Sequence, residues 1–187
     1  MPLLNKKELL KAAEKIKLLI LDVDGILTNG TIIYSSNGEQ IQSFHVHDGF
    51  GLKLLMKSGV HVALLSARGG KALEKRAKEL GIKDLYQGKS DKLLIYSEIK
   101  ERLGLEDDQI AFMGDDWVDL PLLSRVGLAA TVPNCAEPVQ EYVHYISEKE
   151  GGFGAVRELC NLILEAKGKL GHYLDQYLPS KTASKKI

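Results

Sequence analysis

The chain has 187 residues, with 25 basic and 25 acidic side chains and a formal charge of zero, and at that length one hydrophobic core forms without help from disulfides or structural metal. A neutral balance argues against a nucleic-acid surface as the main business, because such domains are usually strongly basic. No apolar run approaches the ~18–20 residues of a membrane span, the start MPLLNKKELLKAAEKIK lacks a signal-peptide core, and two cysteines outside any CxxC spacing, Cys135 and Cys160, fit a reduced, cytosolic protein.

In chain order, Asn5 followed by Glu8 predicts a helix start, with Leu9, Leu10, Ala13 and Ile16 as its apolar stripe. Residues 18–23 (LLILDV) form a short apolar run of strand length, and 60–65, 110–113 and 128–132 are three more. Strands buried on both faces read this way, as in parallel sheets covered by helices. Helical patterns lie between them at 51–58, 71–80, 90–103 and 119–126, the last three closed by Gly81, Gly104 and Gly127. A further helix and tail occupy about 153–187. This alternation predicts an α/β fold, three-layered, with a central parallel sheet, in a single domain over 1–187. Residues 31–44 depart from it. They are β-rich and centred on Asn37-Gly38, a hairpin signal standing where a crossover helix belongs.

The first strand ends in Asp22-Val23-Asp24-Gly25, so two acids leave the sheet at its carboxyl edge, where open α/β sheets bind ligands. Two carboxylates held together repel unless a cation sits between them or one is protonated, and Mg²⁺ suits an oxygen-only site. The strand at 110–113 ends similarly, in Gly114-Asp115-Asp116 with Asp119 a turn further on. The strand at 60–65 ends in Ser66-Ala67-Arg68-Gly69, a hydroxyl, an arginine and a glycine at a helix start, and a hydroxyl with the backbone N–H groups of a helix start makes a phosphate cradle. A fourth turn, Gly88-Lys89-Ser90-Asp91-Lys92, offers lysine charge to a phosphate.

LLILDVDGILT, LLSARG, Lys92 and GDDWVD together resemble the four ordered motifs of the haloacid dehalogenase superfamily of phosphatases. DVDGILTNG, FHVHDGFGLK, SDK, GDDWVDLP, PNCAEPV and GGFGAVREL resemble its 3-deoxy-D-manno-octulosonate (KDO) 8-phosphate phosphatase branch over residues 15–160. The resemblance implies Asp22 as a nucleophile that carries the phosphoryl group, and Asp24 as acid and then base. It implies Mg²⁺ held by Asp22, the backbone carbonyl of Asp24 and Asp115, with Asp116 orienting metal-bound water. Ser66 and Lys92 then contact the phosphoryl oxygens. Substrate contacts fall on His45, Val46, His47, Asp48 and Gly49, and on Arg68 and Arg76. The implied substrate is a small acidic sugar phosphate in lipopolysaccharide precursor synthesis. The fold carries no lid domain, and the implied assembly is a homotetramer whose hairpins mate and whose neighbours complete each site. Two positions depart from the family: His47 replaces an arginine, and Ser66-Ala67-Arg68 replaces Thr-Gly-Arg. The alternatives are another keto-deoxy sugar acid phosphate such as a nonulosonate 9-phosphate, a non-catalytic phosphate-binding module, and a transition-metal pair of His45 and His47 alternating on a strand.

Overall fold

The computed structural model describes residues 2–89 and 91–178; Ser90, the expected first residue of the fourth helical pattern, and the basic tail at 181–186 lie outside them. Helix α1 (Lys6–Glu14) begins at a capping box in which the Asn5 side chain accepts from the amides of Lys7 and Glu8 while Glu8 reaches back to the Asn5 amide. Strand β1 (Leu18–Leu21) follows, wholly buried. The chain then makes a two-stranded ribbon of β2 (Ile33–Tyr34) and β3 (Gln40–Ile41), shorter than the 31–44 hairpin pattern, with Ile33 opposite Ile41 and Tyr34 opposite Gln40. Regular alternation resumes with α2 (Val46–Lys57), β4 (His61–Ser66), α3 (Lys71–Leu80), β5 (Asp84–Gln87) and α4 (Lys92–Leu103). It continues through β6 (Ile110–Met113), a short α5 (Leu120–Leu123), β7 (Leu128–Thr131), β8 (Tyr145–Ile146), α6 (Ala155–Ala166) and α7 (Leu170–Asp175).

The main sheet has six strands in the order β5-β4-β1-β6-β7-β8, all parallel. Successive side chains of β1 serve opposite faces, as strand geometry requires. Leu19 and Leu21 join the core under α1, α2, α3 and α6, with Ala13, Leu52, Leu73 and Leu159. Leu18 and Ile20 join the core under α4 and α5, with Tyr96, Ile99, Phe112 and Leu122. From β1 the chain moves outward to β4 and β5, then crosses back to place β6 on the other side of β1. The strand order therefore reverses between β1 and β6, and a crevice opens at their carboxyl ends.

Four elements differ from the expectation, each for a physical reason. Strands β5 and β8 carry polar and aromatic residues (DLYQ, YI) and are only half buried at the two sheet edges, so no apolar run marks them. Helix α2 begins at Val46, not at 51, so His45 and His47 are not alternating strand residues. Its two glycines cost helix propensity yet admit the neighbours: a Cβ on Gly51 would press on Arg157 and Cys160, and one on Gly49 on Arg76 and Leu80. The 119–126 pattern divides into a 3₁₀ turn over Trp117–Asp119 and the four-residue α5, which holds Pro121 in its first turn.

Phe112 is fully buried in β6, beside β1. Phe112→Ala should therefore cost about 3–5 kcal/mol, the usual range for such a deletion, read from urea denaturation. A loss below about 1 kcal/mol would contradict this packing.

Candidate active site

Four strand ends converge on the crevice. At the end of β1, Asp22 is buried and Asp24 is partly exposed. Between them and the hairpin the backbone turns on Gly25, whose φ of +94° suits glycine. A Cβ there would also collide with the Asp115 carboxylate, so this glycine lets the two acidic strand ends, of β1 and β6, touch. The Thr28 hydroxyl holds the turn from within. It accepts from the amides of Gly25 and Gly30 at 3.3 and 3.2 Å and lies 3.4 Å from the Val23 carbonyl.

At the end of β6, Asp119 is 0 % exposed and organises what surrounds it. Its Oδ2 accepts from the backbone amides of Asp115 and Asp116 at 3.0 and 3.2 Å, and its Oδ1 accepts from Lys92 Nζ at 2.5 Å. The same ammonium donates to Asp22 Oδ1 at 2.5 Å. Lys92, the first residue of α4, is 5 % exposed and so bridges two buried carboxylates across the crevice. Burial alone would lower its pKa, but Asp22 and Asp119 reverse that and raise it, so the lysine stays charged.

The acids themselves are under strain. Burial pushes the Asp22 carboxyl up to about 7, with Lys92 opposing and Asp119 and Asp115 reinforcing the rise. Burial also pushes Asp115 up to about 7, helped by the charges of Asp119 and Asp116. One lysine does not balance four neighbouring acids. One oxygen from each of Asp22, Asp115 and Asp119 lies within 4.8 Å of the other two. A buried, all-oxygen set with an excess of negative charge fits a hard divalent cation, and Asp119, already engaged on both oxygens, serves best as the support of the other two. Asp24 enters the expected metal set through its backbone carbonyl. Its carboxylate turns elsewhere, 3.4 Å from the Ser66 hydroxyl and 4.0 Å from Arg68 Nε.

These residues line a cavity of about 300 Å³ whose walls include Asp22, Asp24, Lys92, Asp115, Arg68 and the apolar Ile32 and Val118. Ser66, at the end of β4, is buried and accepts from the Arg68 amide at 3.1 Å. Asp116 caps the following turn by accepting from the Trp117 amide at 2.7 Å. The segment His45 to Gly49 and Arg76 do not line the cavity. Arg76 donates from Nη2 to the His45 carbonyl at 3.3 Å, stands over the Phe44 ring and pairs with Glu79. Asp48 is 1 % exposed and turned inward, so its carboxylate is unavailable to a substrate in this chain's cavity. His45 and His47 meet edge to face at 4.9 Å and join no three-ligand cluster among the described residues. Sequence alone does not mark Asp119 as the organiser of the turn; its one signal is an acid four residues beyond Asp115, just ahead of an apolar run.

The arrangement, a carboxylate held by a lysine, a second carboxylate beside a hydroxyl, and an acidic cation cradle, is equipped for phosphoryl transfer. Comparison with known proteins agrees. Residues 81–158 match the model of the haloacid dehalogenase-like hydrolases. A 3-deoxy-D-manno-octulosonate 8-phosphate phosphatase of Yersinia pestis is 42 % identical over 163 residues, covering 87 % of each chain. The structure of the enzyme of that name from Moraxella catarrhalis, in complex with magnesium, phosphate and a KDO molecule, superposes with a TM-score of 0.91. It is 40 % identical and covers 93 % of this chain and 100 % of its own. The cobalt-bound deoxy-D-mannose-octulosonate 8-phosphate phosphatase of Haemophilus influenzae gives a TM-score of 0.83 at 40 % identity, covering 87 % and 95 %. With such identity along nearly the whole length, and the acid–lysine cluster assembled on the same fold, the chain belongs to the 3-deoxy-D-manno-octulosonate 8-phosphate phosphatase family of haloacid dehalogenase-like hydrolases.

Proposed function

We propose that this protein is a Mg²⁺-dependent phosphatase that hydrolyses KDO 8-phosphate to KDO and phosphate, the activity carried in the names of its relatives. The observation that carries it is the Asp22–Lys92–Asp119 bridge set against Asp24 and Asp115 in one cavity. Asp22 attacks phosphorus and takes the phosphoryl group as an aspartyl-phosphate, which splits one displacement into two. Lys92 favours the ionised nucleophile and meets the charge of the phosphoryl oxygens. Asp24 hands a proton to the leaving sugar oxygen and then takes one from the water that releases phosphate. The Ser66 hydroxyl hydrogen-bonds the phosphoryl oxygens, and Arg68 at the mouth meets the acidic sugar. Mg²⁺, held by Asp22, Asp115 and the backbone carbonyl of Asp24, would neutralise charge on the transferring group.

The cavity is small and partly open, and phosphoryl chemistry needs controlled water. A homotetramer is our reading of how it is covered. The support is the ribbon: Ile32, Ile33, Tyr34 and Ile41 are 38 %, 46 %, 66 % and 50 % exposed, and an isolated two-stranded ribbon is marginal in water. Val46 and His47, exposed at the start of α2, are the members of their segment open to a neighbour's substrate. The free cysteines Cys135 and Cys160 favour a cytoplasmic protein. The sheet draws strands from residues 18 to 146, which favours one domain.

A phosphate-release screen over sugar phosphates with Mg²⁺ tests the activity, and KDO 8-phosphate should give the highest kcat/KM. Asp22→Asn should lower turnover by at least about 10³-fold with the fold intact; retention of a tenth of the wild-type rate would remove the covalent step. Metal binding should depend on pH in a definite direction. Asp22 and Asp115 hold protons up to about pH 7 in the folded chain but only to about 4 in the unfolded one, so the metal-free protein loses stability as pH climbs through that window. Mg²⁺ competes with those protons, and it should raise the melting temperature more at pH about 8 than at pH about 5.5. Equal shifts in differential scanning fluorimetry would take these carboxylates out of the metal site. Replacing residues 33–42 by a short glycine linker should give folded monomers of low activity in light scattering and assay; a fully active wild-type monomer at micromolar concentration would remove the shared-site reading.

A further inference from the structure

Asp48 is a buried carboxylate that the phosphoryl chemistry does not use. Burial raises its pKa against the opposing pull of the Arg157 and Gly154 amides. Its Oδ1 accepts from the Arg157 amide at 2.7 Å, 109 residues along the chain, while its Oδ2 has no hydrogen-bond partner among the described residues. Helix α6 has glycine, Gly154, at its N-cap and no side-chain cap of its own. Asp48, in the first turn of α2, therefore supplies from another helix the acceptor that α6 lacks.

What precedes α6 makes this cap consequential. The loop Gly151-Gly152-Phe153-Gly154 lies against the turn that follows the nucleophile strand. The Gly152 amide donates to the Ile26 carbonyl at 2.9 Å. A Cβ on Gly151 would collide with the Gly25 carbonyl, and one on Gly152 would come within 2.5 Å of the Asn29 amide. Gly25 in turn abuts the Asp115 carboxylate. Backbone thus stacks on backbone from the start of α6 to the turn that carries Asp24, with no side chain between to absorb a shift.

The geometry points to Asp48 as a positioning residue for the proton-transfer step: by capping α6 it seats the Gly151–Gly154 loop against the Asp24-Gly25 turn and so fixes the reach of the Asp24 carboxyl to the leaving oxygen. The inference rests on Asp24 as the proton donor of the proposed phosphatase. It replaces a direct substrate contact by Asp48 with an indirect role in turnover.

The test compares two substrates on the full-length protein with saturating Mg²⁺. KDO 8-phosphate has an alkoxide leaving group that needs a proton, whereas 4-nitrophenyl phosphate releases a phenolate that does not. Asp48→Ala should lose about tenfold in kcat on the sugar phosphate and less than about twofold on the nitrophenyl ester, with KM on each within about twofold. Asp48→Asn keeps an oxygen for the α6 amides, and both rates should stay within about twofold of wild type. Equal losses on the two substrates would mean a purely structural carboxylate and overturn the proposal. A raised KM with unchanged kcat would mean substrate contact and overturn it too. Asp24→Asn in the same assay separates the two layers. Equal losses for that variant remove the proton-donor assignment itself, whereas selective loss there and none in Asp48→Ala removes Asp48 alone. Should Asp48→Ala be recovered unfolded, Asp48→Ser, whose hydroxyl sits one atom shorter than the carboxylate oxygen, carries the same expectation.

Discussion

The buried bridge from Asp22 through Lys92 to Asp119 is the interaction on which the site depends. It joins three separate pieces of chain: the end of β1, the start of α4 and the turn after β6. A lysine is rarely buried this deeply without partners, because desolvation of its charge is costly. Two carboxylates at 2.5 Å compensate that cost and turn it into geometry. Removing Lys92 leaves two buried carboxylates without their counter-charge, which is worse than never having buried them. The bridge thereby fixes the orientation of the Asp22 carboxylate.

Around that bridge the charge is deliberately unequal. Asp115 and Asp116 stand beside Asp119, and Asp22 and Asp115 both hold their protons well above the ordinary carboxylate range. An electrostatic deficit of this kind is what gives a divalent cation a defined place, since the cation relieves repulsion that the fold imposes. Packing keeps the deficit from relaxing. Gly25 has no Cβ, so the acidic strand ends approach one another; Gly114 likewise admits the Asp119 side chain, which ties down the amides of the turn after β6.

The same economy of side chains extends away from the chemistry. Gly151 and Gly152 let the start of α6 rest on the Gly25 turn, and Gly49 and Gly51 let α2 lie close to Arg76 and α6. The helices on that face are thus coupled to the Asp24-Gly25 turn by backbone contact, and interiors this tightly packed transmit displacement. The exposed apolar ribbon stands at the opposite extreme, with little of its surface covered within the chain.

Much of this is written in the sequence. Apolar runs of strand length each ending in an acid pair or a hydroxyl, as in LLILDVD, VALLS and IAFMGDD, determine a parallel sheet with chemistry at its carboxyl edge, because a buried strand has nowhere else to put a polar residue. Asp22, Asp24, Ser66 and Asp115 are legible for that reason. The edge strands β5 and β8 are not, since half-buried edges tolerate polar and aromatic residues. Nor is the division of labour among the acids. Only the folded chain shows that Asp119 is fully buried with both oxygens engaged, that Arg76 holds the His45 carbonyl outside the cavity, and that Asp48 points at the amides of α6. Local pattern gives each residue its type and strand end; which atom meets which partner depends on helix packing across long sequence separations, and that is decided only when the tertiary structure brings those helices together.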